Sequence, residues 1–240
     1  MLGLYISIPL GLVMKAMPVP RFRLAFSLLC GLGIQFFIFS ECIPLSKFGI
    51  DAIFPLAQVF VAYTIVSLCP RKRVGWTVTM FSMGYLSLSH IIRMFVDYGG
   101  WTITVVTVLM IQTVFLSTFA WDYQDGATAE GRTKNKKAVA DLPSLLEFVS
   151  AGTCFTQSLA GPCSNFVDFS DYVWCRNDFA KIPAGSNVKA CGRALLTALA
   201  WTGVQLVLLK FRVLERMSDP EGSMQSAGIF MRVKKWHYLE

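Results

Sequence analysis

Asp122, Asp125 and Glu147 are the residues whose type and setting could do chemistry in this chain. The first two fall in Asp122-Tyr123-Gln124-Asp125-Gly126, fused to the end of an apolar run, and Glu147 sits in a second apolar run entered through Leu142-Pro143-Ser144-Leu145-Leu146. A charge beside or inside a lipid-soluble stretch costs free energy unless a partner or water receives it. Asp122 and Asp125 could form a paired-carboxylate site or a polar lid. They could also end a helix and begin a turn, since Asp-Gly is a common turn dipeptide, and on physical grounds the turn carries more weight. Glu147 needs a partner that the sequence does not identify.

General-base or nucleophilic catalysis rests on a histidine, cysteine or carboxylate held by a partner in a pocket. The chain has 2 histidines. His90, beside Arg93 at the end of an apolar run, reads as an interfacial residue more readily than as a base. His237 follows Lys234-Lys235-Trp236 close to the chain end, where segments are poorly ordered unless tied down, and no catalytic role is assigned to it. The 7 cysteines are scattered, with no Cys-x-x-Cys pair and no histidine at metal-ligand spacing, so neither a zinc nor a redox site is expected. They read as small apolar residues. Cys163 and Cys175 are the one pair close enough in sequence to bridge if their loop is lumenal.

The elements that must position these groups are membrane helices. Hydrophobic residues make up 54% of the 240 residues and charged ones 15%, against about 25% charged in soluble domains, and the mean hydropathy is +0.53. Apolar runs cover 2–14, 24–43, 50–69, 74–95, 101–120, 142–160 and 195–211. They do not alternate as outer-membrane strands do, and a span needs about 20 apolar residues. The expected fold is therefore all-α, a polytopic transmembrane helical protein with about 6–7 membrane segments. The first run is short. The run 142–160 carries Glu147, Thr153, Thr156, Gln157 and Ser158, which suits a re-entrant segment or one packed against other helices. No signal-peptide cleavage pattern follows the first run, which is expected to stay as a membrane segment.

Basic residues alternate along the connections. Lys15, Arg21 and Arg23 lie in the first, Arg71, Lys72 and Arg73 in the third, and Arg132, Lys134, Lys136 and Lys137 in the fifth. The positive-inside rule places the odd connections in the cytosol and the N-terminus on the far side. The formal charge of +7 is spread over these loops and not gathered on one face with aromatic neighbours, which argues against nucleic-acid binding. The loop 127–140 could attract an anionic ligand, but a cytosolic loop needs none to explain its charge.

Several short motifs follow one another: Met83-Gly84-Tyr85-Leu86, Asp97-Tyr98-Gly99, Ala120-Trp121-Asp122-Tyr123-Gln124-Asp125-Gly126, Leu142-Pro143-Ser144-Leu145-Leu146-Glu147-Phe148, Leu159-Ala160-Gly161-Pro162 and Asp171-Tyr172. In that order and approximate spacing they resemble the N-terminal half of the membrane-bound O-acyltransferase (MBOAT) family, in its lysophospholipid acyltransferase branch. The resemblance is closest over 1–172, and Arg232-Val233-Lys234 is similar to the start of a later family helix.

The resemblance implies acyl transfer from acyl-CoA, as co-substrate, to the free hydroxyl of a lysophospholipid, in a multi-pass protein of the endoplasmic reticulum. It implies no bound cofactor and no metal. The phosphates of coenzyme A would suit the basic loop electrostatically. The family's general-base histidine, in an apolar helix, and its upstream asparagine lie in the C-terminal half, so no catalytic residue is carried over. The 240 residues are expected to form a single, incomplete MBOAT-like domain, inactive alone. Asp122, Asp125, Gly126, Pro143, Glu147, Gly161 and Pro162 are carried over as structural or channel-lining positions, where Gly and Pro permit helix breaks and close approach. A reading from another class is a small polytopic transporter or a non-catalytic membrane interaction protein, with Asp122 and Glu147 marking a polar path.

Overall fold

The computed structural model describes residues 2–39, 53–96, 105–157, 163–182 and 188–210. The chain divides into two compact units, 1–186 and 187–240, each described by itself. The first unit holds α1 (Leu2–Ala16), α2 (Pro20–Phe39), α3 (Ile53–Leu68), α4 (Val74–Val96), α5 (Val105–Asp125), the short α6 (Ala129–Lys134), α7 (Leu145–Gly152) and α8 (Phe166–Trp174), then a 3-10 turn at Asn177–Lys181. The second holds α9 (Val188–Lys210). The chain is all-helical, with no strand among the described residues.

Local sequence sets several boundaries. Pro20 opens α2, where its missing N–H would have had no helical partner anyway. Ser144 caps α7 by accepting the Glu147 N–H at 3.3 Å, and Thr128 caps α6 by accepting that of Gly131 at 3.1 Å.

α4 and α5 pack antiparallel. Gly75 N donates to Gln124 Oε1 at 3.0 Å, Trp76 meets Trp121 edge to face with centroids 5.4 Å apart, and Thr113 Oγ1 reaches Ser82 O at 3.5 Å. α3 lies beside both, through Gln58 Nε2 to Thr113 Oγ1 at 3.0 Å and the Tyr85 hydroxyl to Phe54 O at 3.1 Å. An aromatic core ties α7 and α8 to this group: Phe119 sits 4.8 Å from Phe148 and 5.1 Å from Phe166, and Tyr63 sits 5.3 Å from Phe148.

Two helices are long and apolar enough to cross a membrane by length and composition, Val105–Asp125 and Val188–Val207, with Ile53–Leu68 a shorter apolar helix. Large apolar side chains face outward elsewhere in the first unit, Phe22 at 67%, Leu68 at 80% and Phe95 at 87% exposure. Such surface suits lipid better than water. One expected span is corrected. The run 142–160 forms a helix of only 8 residues, about 12 Å at 1.5 Å per residue, far short of the ~30 Å hydrocarbon layer.

That run instead packs against other helices, the other alternative its polar content raised, with Phe148, Val149, Ser150, Ala151 and Gly152 of α7 buried. The indole Nε1 of Trp174, at the end of α8, donates to Glu147 Oε1, in the first turn of α7, at 2.6 Å. That bond ties the start of α7 to the end of α8. The buried C-terminal end of α7 presents carbonyls that lack a helical partner and need donors from elsewhere. Three side chains receive them: Ser27 Oγ donates to Ser150 O at 3.4 Å, Gln157 Nε2 to Ala151 O at 2.7 Å and Gln112 Nε2 to Gly152 O at 3.0 Å.

Basic residues of the first, third and fifth connections meet the same end of this unit. Arg71 bonds Val139 O and Ala140 O, Lys137 pairs with Asp168 on α8, and Arg23 Nη1 donates to Val173 O at 2.9 Å. Arg23, 8% exposed, also donates through Nε to Met17 O at 2.8 Å, so its charge serves the carbonyl ends of two turns, with no carboxylate partner among the described residues.

Candidate functional site

α5 delivers Asp122 and Asp125 one turn apart on the same face, and the chain turns at Gly126 immediately beyond. The loop that follows folds back over them. Asn135 Nδ2 donates to Asp122 Oδ1 at 2.8 Å and to Asp125 Oδ2 at 3.0 Å, bridging the two carboxylates, while Asn135 Oδ1 accepts the Lys137 N–H at 2.9 Å. Val139 N donates to Asp122 O at 2.9 Å, and Arg132 Nε donates to Gly126 O at 2.8 Å. Gly126 has to be glycine here, because a Cβ would fall well under 3.0 Å from the backbone carbonyl of Val139.

From the third connection Arg71 closes the clasp. Its Nε donates to Tyr123 O at 2.9 Å, its Nη2 to Val139 O at 2.7 Å and Ala140 O at 2.6 Å, and its guanidinium lies 4.1 Å over the Tyr123 ring. Asp122 is 6% exposed, and its Oδ2 has no partner among the described residues. The local geometry is that of a helix end and a turn, with both carboxylates held as acceptors of one amide. That arrangement anchors a loop and leaves no protein donor positioned to relay a proton between the two acids.

Glu147 gains the partner that sequence could not name. Besides the Trp174 indole, its Oε2 accepts from Ser144 Oγ at 3.4 Å. Pro143 lies just ahead, its carbonyl receiving the Tyr63 hydroxyl at 3.1 Å. Trp174→Phe keeps the ring and removes the donor, so it isolates this latch. We expect it to cost about 1 kcal/mol and to lower the apparent Tm of the purified chain, with Trp174→Ala costing more. A Phe variant melting with the wild type would show that the bond holds nothing.

The structure does not gather all the candidates into one place. Among the described residues no hydrogen bond joins Glu147 to the aspartate clasp. Gly161 and Pro162 lie outside the described residues, as do Asp97-Tyr98-Gly99 and His237. His90 is half-buried near the end of α4 opposite to the clasp. Cys163 and Cys175 are both free, so the conditional bridge is not formed. Cys163 Sγ donates to Ile111 O at 3.4 Å, and Cys175 Sγ accepts from Arg23 Nη1 at 2.7 Å. The thiols are held by different helices, which sequence separation alone does not reveal.

Sequence reasoning passed over Arg71 and Asn135, which hold the clasp, and Gln35, Gln58 and Gln112, which lie buried among apolar side chains. The glutamines carried a signal, as amides inside apolar runs. Arg71 carried none that separated it from Lys72 and Arg73.

Comparison with known proteins finds a likeness to acyltransferases. It is 28% identical over 203 residues to membrane-bound glycerophospholipid O-acyltransferase 1 of Mus musculus, covering 77% of this chain and 39% of that protein. It is 27% identical to lysophospholipid acyltransferase 6 of Drosophila melanogaster, covering 73% and 24%, and 27% identical to the lysophospholipid acyltransferase of Saccharomyces cerevisiae, covering 97% and 40%. No family model and no solved structure matches. The resemblance first carried by short motifs is thus a measurable likeness to membrane-bound O-acyltransferases of the lysophospholipid branch. The chain spans about a quarter to two fifths of the length of these relatives.

Proposed function

We propose that this chain works in the acyl-CoA-dependent acylation of a lysophospholipid, as an integral multi-pass protein of the endoplasmic reticulum with about 6 membrane segments. The observation that carries this reading is its likeness, over 73–97% of its own length, to relatives named as lysophospholipid or glycerophospholipid acyltransferases. Acyl-CoA is the co-substrate, and no resident cofactor is needed.

In this reading its own residues take the following roles. The end carrying Arg21, Lys72, Arg73, Lys134 and Lys136, all exposed, faces the cytosol, where an anionic acyl-CoA arrives. The clasp at Asp122, Asp125 and Gly126 fixes the loop on that face. Pro143 and Glu147 fix the mouth of a re-entrant segment, and the family resemblance assigns Gly161 and Pro162 to the substrate path. None of these supplies a base in a position to take a proton from an acceptor hydroxyl. We therefore assign the general base to sequence outside these 240 residues, because proximity without a base leaves little acceleration of proton removal.

The test is acyl-CoA-dependent esterification of a lysophospholipid panel in membranes expressing residues 1–240, alongside the longest product of the same locus. Ester formed by the longer product alone is the expected result. Ester formed by the 240-residue chain would remove the assignment of the base to other sequence and return attention to His90. If neither forms ester, the acyltransferase reading fails and the polar-path reading replaces it.

A further inference from the structure

Four helices each bury a polar side chain in the bundle: Gln35 on α2, Gln58 on α3, Ser82 on α4 and Gln112 on α5, none more than 1% exposed. Hydrogen bonds put three of them at one level. Gln58 Nε2 donates to Thr113 Oγ1 at 3.0 Å, Thr113 Oγ1 reaches Ser82 O at 3.5 Å, and the neighbouring Gln112 sends its Nε2 to Gly152 O at 3.0 Å, at the C-terminal end of α7. Gln35 lies one turn beyond Gly31, on the α2 face that meets Thr153 just past that end.

Those bonds use only nitrogen ends or backbone. Among the described residues, Gln58 Oε1, Gln112 Oε1, Ser82 Oγ and both amide atoms of Gln35 have no partner. One orphaned polar atom in a buried place already calls for an explanation, and five on four adjoining helices call for a common one. Three of the five are carbonyl oxygens that can only accept, one is an amide nitrogen that can only donate, and the hydroxyl can do either. None is charged. With no cationic group and acceptors in the majority, the set suits a carboxylate or phosphate poorly, and it asks chiefly for O–H donors.

We propose that Gln35, Gln58, Ser82 and Gln112 form an internal binding site, beside the broken end of α7, for neutral hydroxyl groups. The occupant's O–H bonds to the carbonyl oxygens of the amides, and its oxygen accepts from Gln35 Nε2. Two sources carry that chemistry, water and the glycerol hydroxyl of a lysophospholipid. The lipid source rests on the acyltransferase reading; the water source does not.

Gln35 gives a clean test because its side-chain amide makes no hydrogen bond among the described residues. If its amide is dry, Gln35→Met replaces an unsatisfied polar group by an apolar one of similar volume and the melting temperature rises or holds. If its amide binds hydroxyl groups, the same change loses those bonds and Tm falls, by about 2–4 °C. Ser82→Ala removes one oxygen and adds nothing, so it guards against steric misfit. The full chain is melted in detergent alone, with a lysophospholipid bearing its free glycerol hydroxyl, and with the deoxy analogue lacking it.

A fall for both variants already in detergent identifies bound water. A fall that appears only with the hydroxyl-bearing lipid, and not with the deoxy analogue, identifies the lipid hydroxyl. A rise or no change for Gln35→Met under all three conditions overturns the site, and so does a fall for Gln35→Met unaccompanied by one for Ser82→Ala. Loss of the lipid-specific effect alone counts against the acyltransferase reading and leaves the hydrated site standing.

Discussion

Gly31→Ala is expected to unfold or strongly destabilise the first unit, by about 2–4 kcal/mol, although it adds one methyl to a helix that alanine otherwise favours. An alanine Cβ at Gly31 would fall well under 3.0 Å from Thr153 O, at 3.0 Å from Thr153 C and at 3.3 Å from Phe155 N. All three atoms are backbone, so no rotamer change relieves the clash. The backbone they belong to is also fixed, because Ser150 Oγ donates to Leu24 O at 3.1 Å, Ser27 Oγ donates back to Ser150 O at 3.4 Å, and Phe26 packs edge to face on Phe155.

Making room therefore means parting α2 from α7 and giving up those contacts together. Gly33, two positions along the same helix, has nothing within 4 Å of a Cβ, so Gly33→Ala is expected to be neutral or to stabilise by up to ~1 kcal/mol through helix propensity. Thermal melts of the two variants in detergent decide the matter. Equal melting temperatures would mean that α2 and α7 do not approach as described.

The same pair of helices shows how far the sequence could be read. The apolar runs at 24–43, 74–95 and 101–120 placed α2, α4 and α5 to within a few residues, because hydrophobic length is a property of the run itself. The run 142–160 was misjudged in length for a physical reason. What stops α7 at Gly152 is not a break in hydropathy but the arrival of Ser27, Gln112 and Gln157 to take its last carbonyls. Those donors come from α2, α5 and the turn beyond, and no local pattern announces them. Its polar residues did announce that the segment was no ordinary span.

The candidate site divides along the same line. Asp122-Tyr123-Gln124-Asp125-Gly126 was legible as a helix end and turn because Asp-Gly acts on its own backbone. That Asn135 would bridge both carboxylates, or that Trp174 would answer Glu147 across 27 positions, depends on how the loop, α7 and α8 fold against one another. Intramembrane charge was the criterion applied to the apolar runs, and it passed over uncharged amides. Gln112 shows the cost of that omission, since it spans α5 and the end of α7 without any formal charge.

Arg71→Lys is expected to loosen the clasp although it conserves charge. The guanidinium serves three carbonyls, those of Tyr123, Val139 and Ala140, and stacks 4.1 Å over the Tyr123 ring. Tyr123 O lies in the last turn of α5, where helical partners run out, and the other two carbonyls belong to the returning loop. A lysine ammonium is a compact point donor with no planar fork, so it cannot serve the helix end and the loop at once while covering the ring. We expect a loss of about 2 kcal/mol for lysine and more for alanine, which strands all three carbonyls.

Because Arg71 ties the loop to the helix end, the loss should show first as local opening of the loop and only then as global unfolding. About 2 kcal/mol raises the open population by about 30-fold, and tryptic cleavage after Arg132, Lys134 and Lys136 should accelerate accordingly when reclosing outpaces cutting. Lys72→Ala, an exposed neighbour in the same connection, is expected to leave that rate unchanged. Cleavage of Arg71→Lys at the wild-type rate would mean that Asn135 and Val139 hold the loop without the arginine. A shared acceleration in Arg71→Lys and Gly126→Ala, the latter pushing on Val139 O beside the Arg71 guanidinium, would locate the closure at that one carbonyl.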